Sequence, residues 1–218
     1  MLITFSGLDG SGKSTLVDCV KETLESENRN VAVSHMNYDV GLYSILRFVR
    51  GKLSRHHTNH THAPRTLAYD YQFESSKEKL RYNLVWNKSL RALIYPIDVL
   101  IFVGYRFYVE TMRRQVLVMD RYFYDTLVDV TGARKSIGLT LLRLLTPTPT
   151  LPVYLDITPE KAFARKNEYS VDYLNRRRLS YQKLISALPS VLVLSTDHDL
   201  DTTRLNLTTA IRERLLTH

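Results

Sequence analysis

The segment Gly7-Leu8-Asp9-Gly10-Ser11-Gly12-Lys13-Ser14-Thr15 decides the fold of this chain. It follows an apolar run at residues 2–6 that is typical of a buried strand, and residues 14–27 carry apolar side chains at helical spacing. A glycine-rich loop between a strand and a helix presents successive backbone N–H groups, and the helix N-terminus adds partial positive charge. The sequence therefore predicts a phosphate-binding loop rather than a coincidental glycine-rich turn.

Each residue type in this loop has an expected role. Glycines at 7, 10 and 12 permit backbone geometry that a side chain would obstruct. Lys13 is placed to neutralise the β- and γ-phosphates of ATP, and Ser14 to ligate Mg²⁺. The residues expected to bind the nucleotide are Gly7, Gly10, Ser11, Gly12, Lys13, Ser14 and Thr15.

The rest of the chain alternates strand and helix patterns. Further apolar strands are predicted at residues 31–35, 116–120, 152–157 and 191–195. Helices are predicted at residues 41–52, 66–103 with a bend near Pro96, 105–114, 122–130, 137–145, 171–188 and 201–216, and Pro159 opens another. Near-continuous aliphatic strands favour a parallel sheet covered on both faces. We predict one α/β domain over residues 1–218.

Composition narrows the class of protein. The 218 residues are 44% hydrophobic and 24% charged, as in a soluble globular protein, and Cys19 is the single cysteine. No signal peptide is expected, and the longest apolar run, residues 93–103, is short and broken by Pro96 and Asp98. We therefore expect a cytoplasmic protein without a membrane span.

Net charge is +8, from 30 basic and 22 acidic residues. The basic residues are scattered and form no recognisable nucleic-acid-binding module. The charge is consistent with a solvated basic surface or with an electrostatic funnel for a polyanionic small substrate. The scattered positive charge favours both of these interpretations over binding of nucleic acid.

A second motif follows the strand at residues 116–120. Asp120 ends this strand and is followed by Arg121 and Tyr122. An acid in this position can hold a magnesium ion, usually through water, and Arg121 can contact a phosphate. An ordinary strand-end salt bridge is the alternative, and the glycine loop favours the functional interpretation.

The glycine loop together with Asp120-Arg121-Tyr122 resembles the thymidylate kinase family. Residues 120–127, 155–160 and 173–181 are also similar to segments of that family, and the resemblance omits only about 53–95. It implies a P-loop NTPase fold with three α/β/α layers and a five-stranded parallel sheet of order 2-3-1-4-5. It also implies a homodimer that transfers the ATP γ-phosphate to a nucleoside monophosphate.

The resemblance further implies residue roles on the acceptor side. Asp9 is expected near the acceptor sugar and phosphate, and Arg121 in contact with that phosphate. Phe102 would stack on a base and Arg106 would hold the acceptor, with core packing as the alternative for Phe102.

A lid is expected at about residues 164–172. Arg165 in this lid would close over the transferring phosphoryl group and stabilise its charge, with a solvated helix end as the alternative. In the run of arginines at residues 176–178, at most one or two can point at the nucleotide, because successive residues do not share a helix face.

The chain departs from the family on the acceptor side. The family usually carries an arginine shortly after its second strand, but residues 36–41 contain none; Arg47 or Arg50 could substitute. Residues 53–95 look inserted, and their histidines at 56, 57, 60 and 62 indicate a surface loop more than a metal site.

Two other functions therefore stay open. One is a kinase of a non-nucleotide hydroxyl, such as a sugar or glycolipid, for which Asp9 would be the base. The other is a nucleotide-dependent switch without transfer activity.

Overall fold

The computed structural model describes residues 1–36, 39–42, 44, 88–131, 137–197 and 200–216. The histidine cluster at residues 56–62, both Arg47 and Arg50, and most of the predicted insertion lie outside the described residues.

Five parallel strands form one sheet. Their bounds are β1 Leu2–Gly7, β2 Val31–His35, β3 Val116–Asp120, β4 Leu151–Asp156 and β5 Leu192–Ser195. The spatial order is β2-β3-β1-β4-β5, all pairs parallel, which confirms the predicted order. Phe5 and His35 both pair in register with Asp120, so the carboxyl ends of three strands meet where the glycine loop begins.

Helices cover both faces of the sheet. Their bounds are α1 Lys13–Ser26, α2 Lys88–Phe107, α3 Phe123–Thr131, α4 Ile137–Leu145, α5 Pro159–Lys166, α6 Val171–Ile185 and α7 Leu200–Leu216. A single π-helical turn, Tyr108–Met112, follows α2. The predicted helices agree with these bounds to within a few residues where the structure describes them, except that the helices predicted to end at residue 103 and to span 105–114 are one continuous helix followed by the π-helical turn.

Two apolar clusters separate the three layers. Ile3 and Phe5 of β1 pack with Leu16 and Val20 of α1 and with Leu207 of α7 on one face of the sheet. The neighbouring strand positions, which point to the opposite face because strand side chains alternate, pack against α2, α3 and α6. This arrangement confirms the predicted α/β/α layers, a P-loop NTPase-like fold.

Helix α2 is longer than the apolar run that the sequence suggested. It runs through both Pro96 and Asp98, and the Asp98 carboxylate accepts a hydrogen bond of 2.7 Å from the backbone N–H of Leu42. By length and composition the stretch Leu90–Met112 is sufficient to cross a membrane, and 22% of its most apolar window is buried. A single helix of this kind is weak evidence for a membrane span, because a core helix of a soluble protein meets the same criteria of length and composition.

Helices α2 and α4 also leave apolar side chains in solvent. Leu93 and Leu100 of α2 are 73% and 72% exposed, and Leu144 of α4 is 72% exposed. The other exposed apolar residues of these two helices are Ile97, Val103, Phe107, Leu141 and Leu145. We call this set the α2–α4 surface.

Candidate functional site

The glycine loop joins β1 to α1 and packs closely on α5. Gly10 and Gly12 have φ angles of +89° and +84°, which glycine adopts without steric cost. A Cβ atom on Gly10 would lie 2.7 Å from the backbone oxygen of Ala162 in α5, whereas one on Gly12 would meet nothing within 4 Å. The loop therefore needs glycine at position 10 for space as well as for conformation.

Lys13 is buried at the base of this loop. Its Nζ donates hydrogen bonds to the backbone oxygens of Gly7, at 3.0 Å, and Leu8, at 2.7 Å. Burial is the main cause that lowers the pKa of Lys13 to about 8, and the positive charge of Arg121 lowers it further. The negative charge of Asp9 acts in the opposite direction. The lysine is thus held by loop carbonyls at the place where phosphates are expected.

Ser14 and Asp120 offer oxygen ligands at the start of α1. The Ser14 hydroxyl donates to Oδ2 of Asp120 at 3.0 Å. The other carboxylate oxygen, Oδ1, is buried and has no hydrogen-bond partner among the described residues. Hydroxyl and carboxylate oxygens are the ligands that Mg²⁺ prefers, so these two residues fit that ion. The described part of the chain contains no group of three or more His, Cys, Asp or Glu side chains that could hold a metal.

Asp9 and Arg121 form an ion pair across the loop. Arg121 follows β3 with a left-handed φ of +70°, and its Nη2 contacts Oδ1 of Asp9. Burial acts to raise the pKa of Asp9, but Arg121 and Lys13 more than offset it, so the pKa lies below its ordinary value. Asp9 is consequently an ionised carboxylate that is a weak base.

A cavity of about 590 Å³ connects these groups. Its lining combines the loop, the ends of β2 and β3 and the end of α5: Asp9, Gly10, Gly12, Lys13, Ser14, Thr15, His35, Asp39, Asp120, Arg121 and Lys166. The structure thus brings most of the residues predicted for the nucleotide, both predicted metal ligands and the Asp9–Arg121 pair to one cavity, whereas Gly7 and Ser11 are not part of its lining.

Phe102 and Arg106 lie apart from this cavity. Phe102 is fully buried and packs edge to face on Tyr122 and Phe123, with ring centroids 5.5 and 5.3 Å apart. Core packing, the alternative considered above, describes these surroundings. Arg106 donates to Glu110 at 3.0 Å and to the backbone oxygen of Thr148 at 3.2 Å.

Arg165 bridges two loops at the end of α5. It donates to the backbone oxygens of Gly10, at 3.4 Å, and Thr196, at 2.9 Å. The predicted lid is the junction of two helices: Asn167 ends α5 in a left-handed conformation, and the Ser170 hydroxyl caps α6. Arg165 is therefore at the edge of the glycine loop.

A buried carboxylate that the sequence analysis did not single out lies near the site. Asp125 of α3 accepts hydrogen bonds from the Ser6 hydroxyl at 2.7 Å, the Tyr122 N–H at 3.0 Å and the Tyr181 hydroxyl at 2.7 Å. The available signal was an acid in the first turn of α3. These bonds tie β1, α3 and α6 together, and Asp125 is close enough to Arg121 to help raise the pKa of its guanidinium.

The fold and the glycine loop define the class of this protein, which is P-loop NTPase-like α/β. No protein-family model matches the chain. Thymidylate kinase from Chlorobaculum parvum is 24% identical, with 89% of this chain and 87% of the relative aligned. Thymidylate kinase from Legionella pneumophila is 22% identical over 97% and 94%, and the probable thymidylate kinase from Methanosphaera stadtmanae is 22% identical over 88% and 87%.

These similarities extend over most of each chain. The chain is therefore related to the thymidylate kinase family.

Proposed function

We propose that this protein is an ATP-dependent phosphotransferase that transfers the γ-phosphate to a nucleoside monophosphate. The observation that carries the proposal is the shared cavity, in which Lys13 and the glycine loop adjoin the Asp9–Arg121 pair. Relatives whose names state thymidylate kinase activity support the same reaction class. Thymidylate itself is the first acceptor to test.

The residues divide between the two substrates. The loop amides and Lys13 hold the ATP phosphates, while Arg121, kept in place by Asp9, contacts the acceptor phosphate. Phosphoryl transfer needs mainly positioning and charge stabilisation, so an acceptor that is already a phosphate anion requires no general base. The lowered pKa of Asp9 agrees with this role and disfavours the hydroxyl-kinase alternative, which needs a basic carboxylate.

Mg²⁺ and the lid complete the proposal. Ser14 and Asp120 hold the ion, which supplies positive charge beside the phosphates when it is bound. Lys166 at the end of α5 lines the cavity, and Arg165 beside it bonds the glycine loop, so the α5–α6 junction is placed to act as the lid and limit the access of water.

The test is an ATP-consumption assay against a panel of nucleoside monophosphates. We expect one or more of them to be phosphorylated, and Lys13→Ala to reduce kcat/KM by more than about 100-fold because the phosphate charge is no longer neutralised. Retention of activity within tenfold in Lys13→Ala contradicts the assignment. Hydrolysis without transfer to any panel member favours the nucleotide-switch alternative. Transfer only to hydroxyl compounds favours the hydroxyl-kinase alternative.

The proposal extends to assembly and location. We propose a single-domain cytoplasmic protein without a membrane span that forms a homodimer through the α2–α4 surface. Large contiguous apolar patches on soluble proteins mark interaction sites, which supports an interface at this position. The opposite face of α2 packs in the core through Tyr95, Val99 and Phe102, which supports a peripheral helix of a soluble domain. Scattered basic residues disfavour nucleic acid as a partner.

A further inference from the structure

Arg177 of α6 is the centre of a charged cluster beside the Asp9–Arg121 pair. Its Nη1 contacts one carboxylate oxygen of Asp129 in α3, and Arg91 of α2 donates to the other at 3.1 Å. The same Nη1 donates to the Tyr173 hydroxyl at 3.0 Å. Three helices therefore converge on a guanidinium whose side chain is only 12% exposed.

This guanidinium has an unused donor. Its Nε is buried and has no hydrogen-bond partner among the residues that the structure describes. The ring of Tyr181 lies beneath it, with the guanidinium carbon 5.7 Å from the ring centroid. A buried donor without a partner costs free energy that a ligand oxygen can recover.

The cluster joins two cations to one carboxylate close to the Asp9–Arg121 pair. The single carboxylate of Asp129 faces two guanidinium groups, Arg91 and Arg177. The charge of Arg177 also reaches the Asp9–Arg121 pair, where it helps to lower the pKa of Asp9 and opposes the positive charge of Arg121. An anionic oxygen is the chemical group that such an environment attracts.

The residues directly after β2 do not provide this charge. Residues 36–44 contain no lysine or arginine, and the cavity residue there, Asp39, is acidic. Within the described residues, Arg177 is the buried arginine with a vacant donor next to Asp9 and Arg121.

We propose that Arg177 supplies, together with Arg121, the second cation that binds the acceptor phosphate, and that Asp129 positions its guanidinium. This inference rests on the proposed function, since it specifies how the phosphate of a nucleoside monophosphate is held. It replaces the expected contact from the segment after β2 with one from α6.

Binding measurements test the inference without requiring phosphate transfer. Calorimetry compares thymidine 5′-monophosphate with thymidine, and then the best acceptor of the panel with its nucleoside, in the wild type and in Arg177→Gln. We expect the variant to lose about 10- to 100-fold in affinity for the monophosphate and to bind the nucleoside unchanged. Arg176→Gln is the matched control, because Arg176 is exposed on the same helix and the variant removes the same charge.

A purely structural role of Arg177 gives a different pattern. In that case monophosphate, nucleoside and ATP affinities fall together, or none of them changes, and either outcome overturns the inference. Arg177→Lys, which keeps the charge, should restore part of the phosphate-dependent affinity. Thermal unfolding identifies a misfolded Arg177→Gln, and Arg177→Lys then replaces it, because this variant keeps a positive charge beside Asp129 and lacks the Nε donor.

Failure of the proposed function is a separate result. A wild type that transfers phosphate to no panel member contradicts the proposed function. A wild type that transfers phosphate, but whose phosphate-dependent affinity is the same in Arg177→Gln, contradicts only the role of Arg177.

Discussion

Among single residues, Lys13 has a side chain whose titration burial brings into the range of ordinary buffers. Its pKa is lowered to about 8, and we expect the phosphates of ATP to raise it again on binding. Above pH 8 the Lys13 amine is increasingly neutral before ATP binds, so binding takes up a proton and the affinity for ATP falls as pH rises. We expect the Kd for ATP to increase about 10- to 25-fold between pH 7.5 and 9.5, measured by calorimetry or fluorescence titration.

Lys13→Met provides the control for this titration. The variant should bind ATP more weakly at pH 7.5 and show an almost flat profile over the same range, because no lysine titrates in its loop. An equally steep profile in Lys13→Met would assign the proton to another group.

Asp125 gives a prediction about stability. In Asp125→Ala the donors of Ser6, Tyr122 and Tyr181 lose their common acceptor, so we expect the free energy of unfolding to fall by about 3 kcal/mol or more. Tyr181→Phe removes one of the three bonds and should cost about 1–2 kcal/mol. Urea denaturation measures both values.

An exposed acid calibrates this measurement. Asp18→Ala removes a solvent-exposed carboxylate from α1 and should change stability by less than about 0.5 kcal/mol. If Asp125→Ala were as mild as Asp18→Ala, the buried network would not contribute to stability.

The proximity of site residues was predictable where it follows from local motifs. Ser14 and Asp120, which were both expected to hold Mg²⁺, lie in direct contact because parallel β1 and β3 bring these segments to one edge. The burial of Phe102 depends on how α2 is rotated against α3. Spacing along one helix does not contain that information, since both core and pocket residues are apolar.

Among the elements, the contact between the glycine loop and α5 yields a matched pair of variants. Gly10→Ala places a methyl group 2.7 Å from the Ala162 oxygen and must displace α5, with Arg165 and Lys166 at its end. Gly12→Ala has the same positive φ but open space around the methyl group. We expect the first to lower ATP affinity at least about tenfold more than the second, each binding constant being measured by calorimetry.

Equal losses in the two glycine variants would mean that backbone conformation alone is responsible. In that case α5 would have no part in holding the loop, and the bonds from Arg165 to Gly10 and Thr196 would be incidental.

The periodicity of apolar residues predicted the bounds of most helices and strands well. The exceptions, α2 and the π-helical turn after it, have physical causes. Helix α2 continues past Pro96 because one face is fixed in the core by Tyr95, Val99 and Phe102, which compensates for the missing backbone donor. The π-helical turn after α2 has no distinctive composition, so no sequence signal predicted it.

For the whole molecule, the α2–α4 surface predicts the oligomeric state. The wild type should have twice the chain mass of 25.3 kDa by light scattering, and Leu100→Asp should shift it toward the single-chain mass. Leu100 is 72% exposed, so the substitution itself places no charge in the core. A charge in an apolar interface is costly because it is desolvated without a partner.

Leu205→Asp is the control for this substitution. Leu205 is 66% exposed on α7, which is not part of the α2–α4 surface, and the variant should keep the mass of the wild type. A wild type of single-chain mass, or a Leu100→Asp variant that stays a dimer, contradicts the proposed interface.

The global topology was predictable only in part from the residues themselves. Alternating strands and helices predicted a parallel sheet with helices on both faces, whereas the order 2-3-1-4-5 came from the family resemblance. The cluster of Arg91, Asp129 and Arg177 joins residues from three separate helices. Such a cluster arises from tertiary packing and leaves no local pattern in the sequence.

The left-handed backbone conformation of Arg121 lowers stability at a residue that the proposed activity requires. An arginine at φ +70° costs on the order of 1 kcal/mol that glycine or asparagine would largely avoid, and its partner Asp9 is a buried charge that depends on it. Replacing a buried ion pair with apolar or small residues is often neutral or stabilising. Directed evolution for heat resistance alone should therefore discard Asp9 and Arg121 together, and produce a more robust protein that has lost the proposed acceptor site.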